Sequence, residues 1–305
     1  MSSLEPSSSI SAGSSGGGRP GSGEDPDDLV IVPRRQLGTW VLAAAVVIVV
    51  GSLLASLLRN PNLQLEVIGE YLFSAPILSG VRSTLELTAL AMVIGVAGGV
   101  VIALMRLSRN PVLRAIANTY VWFFRGTPIL VQLLFWGFLG AFYEHVGFGI
   151  PFTGDNFVEY PTESLLSPFV AAVLGLALNE AAYSSEVVRA GILSVGREQV
   201  QAAKALGMTG GQTMRRIIMP QAMVVIVPPL GNLAILMLKT TSLVSVIGGA
   251  DLLTEAQQIY QQNFKTIPLL VVATLWYLAM VSVMTLGQRQ LERRFGRGMT
   301  TVGVQ

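Results

Sequence analysis

The chain has 305 residues, 51% of them hydrophobic and 12% charged, with a net charge of +2 and a mean hydropathy of +0.59. So little charge in so apolar a chain excludes a soluble domain and points to several passes through a bilayer. With no cysteine and one histidine, His145, the chain also excludes disulfides, thiolate or multi-histidine metal sites and a histidine triad.

Residues 1–33 are rich in Ser, Gly and Pro and carry the acidic patch Glu24-Asp25-Pro26-Asp27-Asp28. They cannot bury enough apolar surface to fold, so residues 1–35 are expected to form a disordered cytoplasmic tail. Six uncharged windows follow: 36–58, 87–105, 126–143, 164–179, 217–238 and 266–288. Each approaches the ~20 residues that cross hydrocarbon, the fourth only by running past Glu180. The first is too long, and too far from the charged start, for a cleaved signal peptide. Trp40 to Leu58 is therefore expected to be a signal anchor within an extra transmembrane segment, 36–59, with Arg34 and Arg35 on its cytoplasmic side.

Ile77 to Arg106 reads as one long helix. Its glycines, Gly95, Gly98 and Gly99, recur at the spacing that lets helices approach closely in lipid. A phosphate-cradling role is set aside because no strand precedes them. In Phe123-Phe124-Arg125-Gly126-Thr127-Pro128 the expectation is that Thr127 caps a helix, Pro128 takes its first position and Arg125 snorkels to headgroups. The glycines and prolines of 145–168 predict a loop with at most a short helix. In Asn179 to Gly191, Glu186 and Arg189 are three apart and are expected to pair in a structural role.

The stretch 194–220 reads as two short helices. Strong helix formers run from Glu198 to Leu206, Gly207 supplies a left-handed stop, and Thr209 can cap the second helix, which is expected to end near Pro220. Ala202 and Ala203 make one side of the first helix thin. In the next span Pro228-Pro229 remove two hydrogen-bond donors and predict a break or kink, tolerated at membrane depth only where protein or water lines it.

Charge sets the orientation. The connection 106–125 carries Arg106, Arg109, Arg114 and Arg125 without an acid, whereas 144–163 carries Glu144, Asp155, Glu159 and Glu163 without Lys or Arg. The first is predicted inside and the second outside. The tail adds Arg289, Arg293, Arg294 and Arg297 against Glu292. Six spans with both termini in the cytoplasm satisfy all of these and place the 194–220 loop inside.

That loop resembles the "EAA" loop of the permease subunits of ABC importers: Gln201, Ala202, Ala203, Gly207, Ile217 and Pro220 stand at the family's spacing, with Gln201 where Glu is usual. Phe-Arg-Gly-Thr-Pro at 124–128 and Lys239-Thr240-Thr241-Ser242-Leu243 are also similar to the polar amino acid branch of that family, and the resemblance runs over about 78–290. It implies an all-α polytopic protein with a five-helix type I permease core at 78–290, a cytoplasmic coupling helix and a cytoplasmic tail at 291–305, the N-terminal helix being extra. It further implies two ATPase subunits, a second permease copy or similar permease, an extracytoplasmic amino acid-binding protein, and a place in the bacterial plasma (inner) membrane.

No Gly-rich loop carries the lysine and hydroxyl that hold ATP phosphates, so hydrolysis is expected on another chain. Neither catalysis, cofactor, metal nor nucleic acid is expected. Glu86, Gln132, Asn179, Glu180, Asn232 and Lys239 are polar groups at or near spans, where such residues face a bundle interior or water. Glu86 or Glu180 together with Lys239 could complement the two ends of an amino acid, against the plainer reading that they cap, snorkel or join helices. The competing functional reading is a channel or ion-coupled transporter acting alone, which would show two related halves; no second copy of the loop or of the proline-bearing span is evident. A membrane enzyme is a third, without a reacting constellation.

Overall fold

The computed structural model describes residues 37–149 and 156–296. The expected N-terminal tail with Arg34 and Arg35, residues 150–155 with Asp155, and 297–305 of the expected C-terminal tail with Arg297 lie outside the described residues. The chain divides into two units at Leu57–Leu58. The described part of the first is α1 (Leu37–Leu58, its last residue counted with the second unit), which is apolar on every side and long enough to cross a membrane.

The second unit begins with a 3-10 turn (Pro61–Leu63) and α2 (Leu65–Leu72), then α3 (Ala75–Leu107), with Pro76 in its first turn. Next come α4 (Pro111–Gly126), α5 (Ile129–Gly137), α6 (Leu139–Phe142), strands β1 (His145–Gly149) and β2 (Asn156–Pro161), α7 (Thr162–Leu165) and α8 (Pro168–Leu193). The last part comprises α9 (Arg197–Ala205), α10 (Gly210–Thr213), a π turn (Met214–Ile218), α11 (Met219–Thr240), a 3-10 segment (Thr241–Ile247), α12 (Leu252–Asn263) and α13 (Thr266–Gly296).

One stripe of α3 organises the packing: Ile77, Gly80, Thr84, Leu87, Ala91, Gly95, Gly99 and Ala103 are buried at intervals of three and four residues. A methyl group on Gly80 would lie 2.7 Å from the Leu252 Cα, and one on Gly95 2.6 Å from the Glu180 Cβ. At Gly99 it would run into the Ser184 hydroxyl. Gly95 and Gly99 thus let α3 lie directly against α8, the helix-packing role expected of them, and Gly80, not singled out in the sequence, does the same against α12. Three apolar clusters follow α3 from its N-terminus: Ile77 with Leu252, Leu269 and Val272; Leu87 with Leu133, Leu176 and Val244; and Ala103 with Val188, Ala222 and Ile226.

Among the described residues four helical stretches are long and apolar enough to cross a membrane: Gly38–Leu58 of α1, α3, the run Gly210–Ile247 and Thr266–Arg294. The other two windows fold differently. The fourth belongs to α8, which reaches 26 residues by continuing past Glu180. The third was expected to start at Gly126, but the preceding 106–125 stretch is mostly α4 rather than a loop. Ile116, Ala117 and Tyr120 of α4 line one apolar cleft with Ile94, Gly98 and Val101 of α3, so α4 turns back along α3. The third window is therefore divided among the end of α4, α5 and α6, and its charged residues misled a reading that used charge as a boundary.

Three further corrections follow. The stretch 145–168 is not all loop: β1 and β2 pair antiparallel, His145 opposite Pro161, with an irregularity at Phe148/Gly149. Branched and aromatic residues in 145–149 and 156–161 favour pairing, and the glycines that suggested a loop do not prevent it. Second, α11 is continuous through Pro228-Pro229. The prolines remove two donors without breaking the helix, and Ala222, Ile226 and Val227 before them and Met237 and Leu238 after them are buried. Third, the helix following Thr209 does not end at Pro220; it passes through the π turn into α11, whose first turn takes the proline.

Candidate functional site

A cavity of about 370 Å³ opens between the α4–α5 junction, α8 and α11. It is lined by Arg125, Gly126, Thr127, Pro128 and Ile129, by Asn179, Glu180 and Tyr183, and by Leu233, Leu236, Met237 and Thr240. Pro128 creates the junction. It forces Thr127 into an extended conformation (φ −109°, ψ 143°), which ends α4 and leaves its last carbonyls without helical donors.

Two buried amides take up those carbonyls. Gln132 Nε2 lies 2.9 Å from the Phe124 carbonyl oxygen, 3.1 Å from that of Thr127 and 2.7 Å from Thr127 Oγ1. Asn179 Nδ2 donates to the Phe124 oxygen at 3.0 Å and to Gln132 Oε1 at 3.1 Å. Thr127 therefore does not cap α5; its hydroxyl donates back to the Phe123 carbonyl, and no side chain caps α5. Gln132 and Asn179 fix the shape of the junction, which is a physical reason for two amides at these positions.

Glu180 differs from its neighbours. Its residue is 4% exposed, its stem passes against Gly95, and its Oε1 is buried without a hydrogen-bond partner. An unpartnered carboxylate oxygen beside a cavity costs free energy that a cation entering the cavity would recover.

Below it on α8 stands an ion cluster. Glu186 binds Arg106 at 2.9 Å, Arg125 at 3.0 Å and Arg189 at 3.1 Å, which ties α3 and α4 to α8. The pairing expected between Glu186 and Arg189 is present. Arg125 does not snorkel away: it pairs with Glu186 and stacks 5.2 Å from the centre of the Tyr183 ring. Arg125 and Tyr183 were not foreseen as cavity residues. The available signal was that Arg125 and Glu186 each lie near an apolar window of the sequence, where a charged group implies a partner inside the bundle.

The remaining candidates lie outside the cavity. Glu86 pairs with Arg82 one turn earlier at 2.7 Å, both exposed. Asn232 accepts from Gln288 Nε2 at 2.9 Å, and Lys239 is exposed in the last turn of α11. Of the six, Asn179 and Glu180 line the cavity, and Gln132 supports its wall from behind.

In the 194–220 loop, Gly207 has φ +74° and turns the chain after α9, a conformation that side chains disfavour. A capping box starts α10: Gln212 N–H donates to Thr209 Oγ1 at 3.3 Å and Thr209 N–H to Gln212 Oε1 at 2.9 Å. Gln201 and Ala202 are exposed, as is Leu206 at 83%, but Ala203 is buried at 3%. The two alanines thus part company. Ala203 packs inward in a helix that lies against α10 and the π turn, and Ala202 faces out. Ile217 is half-buried and Pro220 exposed.

The family model "Binding-protein-dependent transport system inner membrane component" matches residues 95–297. The chain belongs to that family. This permease is 44% identical over 277 residues to the arginine transport system permease protein ArgU of Corynebacterium glutamicum, covering 90% of this chain and 85% of that one. It is 38% identical over 224 residues to the L-cystine transport system permease protein TcyB of Bacillus subtilis, covering 73% and 88%. Among solved structures, an amino acid ABC transporter crystallised with histidines matches at 38% identity and TM-score 0.59, covering 72% of this chain and 94% of that one. The MetNI methionine transporter, at 17% identity and TM-score 0.54, shares the fold.

The expected recognition is borne out: the permease is the multi-pass membrane subunit of an ABC importer, it is not itself the ATPase, and ATPase and solute-binding proteins are its partners. The stand-alone channel or ion-coupled transporter is not favoured.

Proposed function

We propose that this permease imports a polar amino acid with a cationic side chain, arginine in the first instance, and that the cavity beside Glu180 is on its path. The observation that carries this reading is Glu180 itself: a buried acid that lines the cavity and has one oxygen without a hydrogen-bond partner, which an ammonium or guanidinium could complete. Similarity to an arginine permease supports the choice of probe.

In this reading two ATPases bind a pair of permeases, either two copies of this chain or this chain and a similar one. Both termini lie in the cytoplasm of a bacterial cell, on the side of the arginine-rich connections. The exposed side of α9, Gln201, Ala202 and Leu206, seats on the ATPase, with Gly207, Ile217 and Pro220 shaping the return. ATP-driven closure moves α9 and, through the continuous π turn and α11, the cavity wall at Leu233 to Thr240. Direct helical connection is what makes such a movement transmissible.

Uptake of radiolabelled L-arginine by the reconstituted complex tests both parts. Glu180→Gln is expected to lower uptake at least tenfold, the scale of a lost charge-assisted hydrogen bond, and Glu86→Gln to leave it unchanged. Gly207→Asp is expected to abolish ATP-dependent uptake while the protein remains in the membrane. Normal uptake by Glu180→Gln would remove the cavity from the path.

A further inference from the structure

Glu186 is overmatched. One carboxylate faces three guanidinium groups, from α3, α4 and α8, so two positive charges in the cluster lack a counterion on Glu186. The three arginines are not equivalent. Arg106 is the most enclosed, its side chain 15% exposed, and its Nε also donates to Asn118 Oδ1 at 2.9 Å. Arg189 holds the second oxygen of Glu186 from one turn away on the same helix. Arg125 is the most open at 42%, spends one N–H on Glu186, and alone of the three lines the cavity, beside the Tyr183 ring that supports its plane.

We propose that Arg125 is the carboxylate subsite of this cavity: it receives the α-carboxylate of the transported amino acid, and Glu180 receives a cationic group. The inference rests on the reading of the cavity as the transport site. Planar guanidinium is suited to two parallel bonds with a carboxylate, and Arg125 has donors to spare. Its departure from Glu186 would cost little, because Arg106 remains on Oε1 and Arg189 on Oε2. An anion entering the cavity therefore exchanges one carboxylate for another at Arg125 and offsets part of the surplus positive charge. Lys239, which the sequence offered with Glu86 or Glu180 as a complement to the two ends of an amino acid, is exposed and does not line the cavity, whereas Arg125 does. The consequence is selectivity: an amine with the same side chain but no carboxylate gains only the Glu180 half of the site.

The test is equilibrium binding of L-arginine and of agmatine, its decarboxylated counterpart, to the purified permease–ATPase complex in lipid nanodiscs, without the solute receptor so that its selectivity does not intervene. The intact complex is expected to bind L-arginine about tenfold more tightly than agmatine. Arg125→Gln should weaken L-arginine by that factor and leave agmatine unchanged. Arg125→Lys, which keeps the charge should the glutamine variant fail to assemble, should recover part of the preference. Equal affinity of the intact complex for the two ligands, or an equal loss of both in Arg125→Gln, overturns the inference. If Glu180→Gln weakens both ligands and Arg125→Gln alters neither, the cavity reading stands and the carboxylate subsite fails. If Glu180→Gln alters neither ligand, or the complex binds neither, the cavity reading fails and the subsite with it.

Discussion

Among the described residues two carboxylate side chains are buried, and they occupy opposite circumstances. Asp251 is fully enclosed where α12 meets α3 and α13, and every direction is occupied. It accepts from the Leu253 and Thr254 N–H groups at 3.1 Å, from the Thr254 hydroxyl and from the Tyr277 hydroxyl at 3.1 Å. Burial holds its carboxyl above the usual range despite those four bonds, which act in the other direction. Glu180 is nearly as enclosed, but one oxygen has no partner and a cavity lies beside it. Burial alone therefore does not mark a functional acid in this permease. Satisfaction does: the acid with all its bonds made joins helices, and the one with a bond to spare can receive a ligand.

The contrast can be broken by substitution. Asp251→Ala should have the largest effect on stability, about 3 kcal/mol, since it removes the cap of α12 and leaves buried donors unpaired. Thermal unfolding of the purified complex checks this, and an unchanged midpoint would end the structural reading of Asp251. Gly95→Val should follow at about 2 kcal/mol, because the added carbons press on the Glu180 stem; it should lower uptake as well. Tyr277→Phe removes one of the four bonds to Asp251 and should cost about 1 kcal/mol in the same unfolding measurement, with uptake retained. Glu180→Gln sharpens the comparison most while moving stability least. The midpoint should stay or rise, since an uncompensated charge is removed, even as uptake falls. A clear loss of stability there would make Glu180 a structural acid like Asp251.

Much of the fold was legible because it is written in short-range chemistry. The long α3, its packing glycines, the Gly207 stop and the Thr209 cap each follow from residue type and spacing. What escaped was set by partners far away in the chain. Arg125 looked like the edge of a loop because its counter-charge, Glu186, lies 61 residues on. The same pair hid α4 from a reading that ended each span at a charge. Pro228-Pro229 signalled a break, but α11 runs on through the two lost donors. Of the candidate residues, Asn179 and Glu180 stood out as polar groups in an apolar helix. Nothing local distinguished them from Glu86, whose exposed partner Arg82 is likewise a matter of folded geometry.

The most direct measurement is an electron cryomicroscopy structure of the complete complex in lipid nanodiscs with saturating L-arginine. Density for the ligand is expected within the cavity, with a nitrogen in hydrogen-bonding distance of the Glu180 carboxylate. Ligand density against Glu86, Asn232 or Lys239, with the space beside Glu180 empty, would contradict the account.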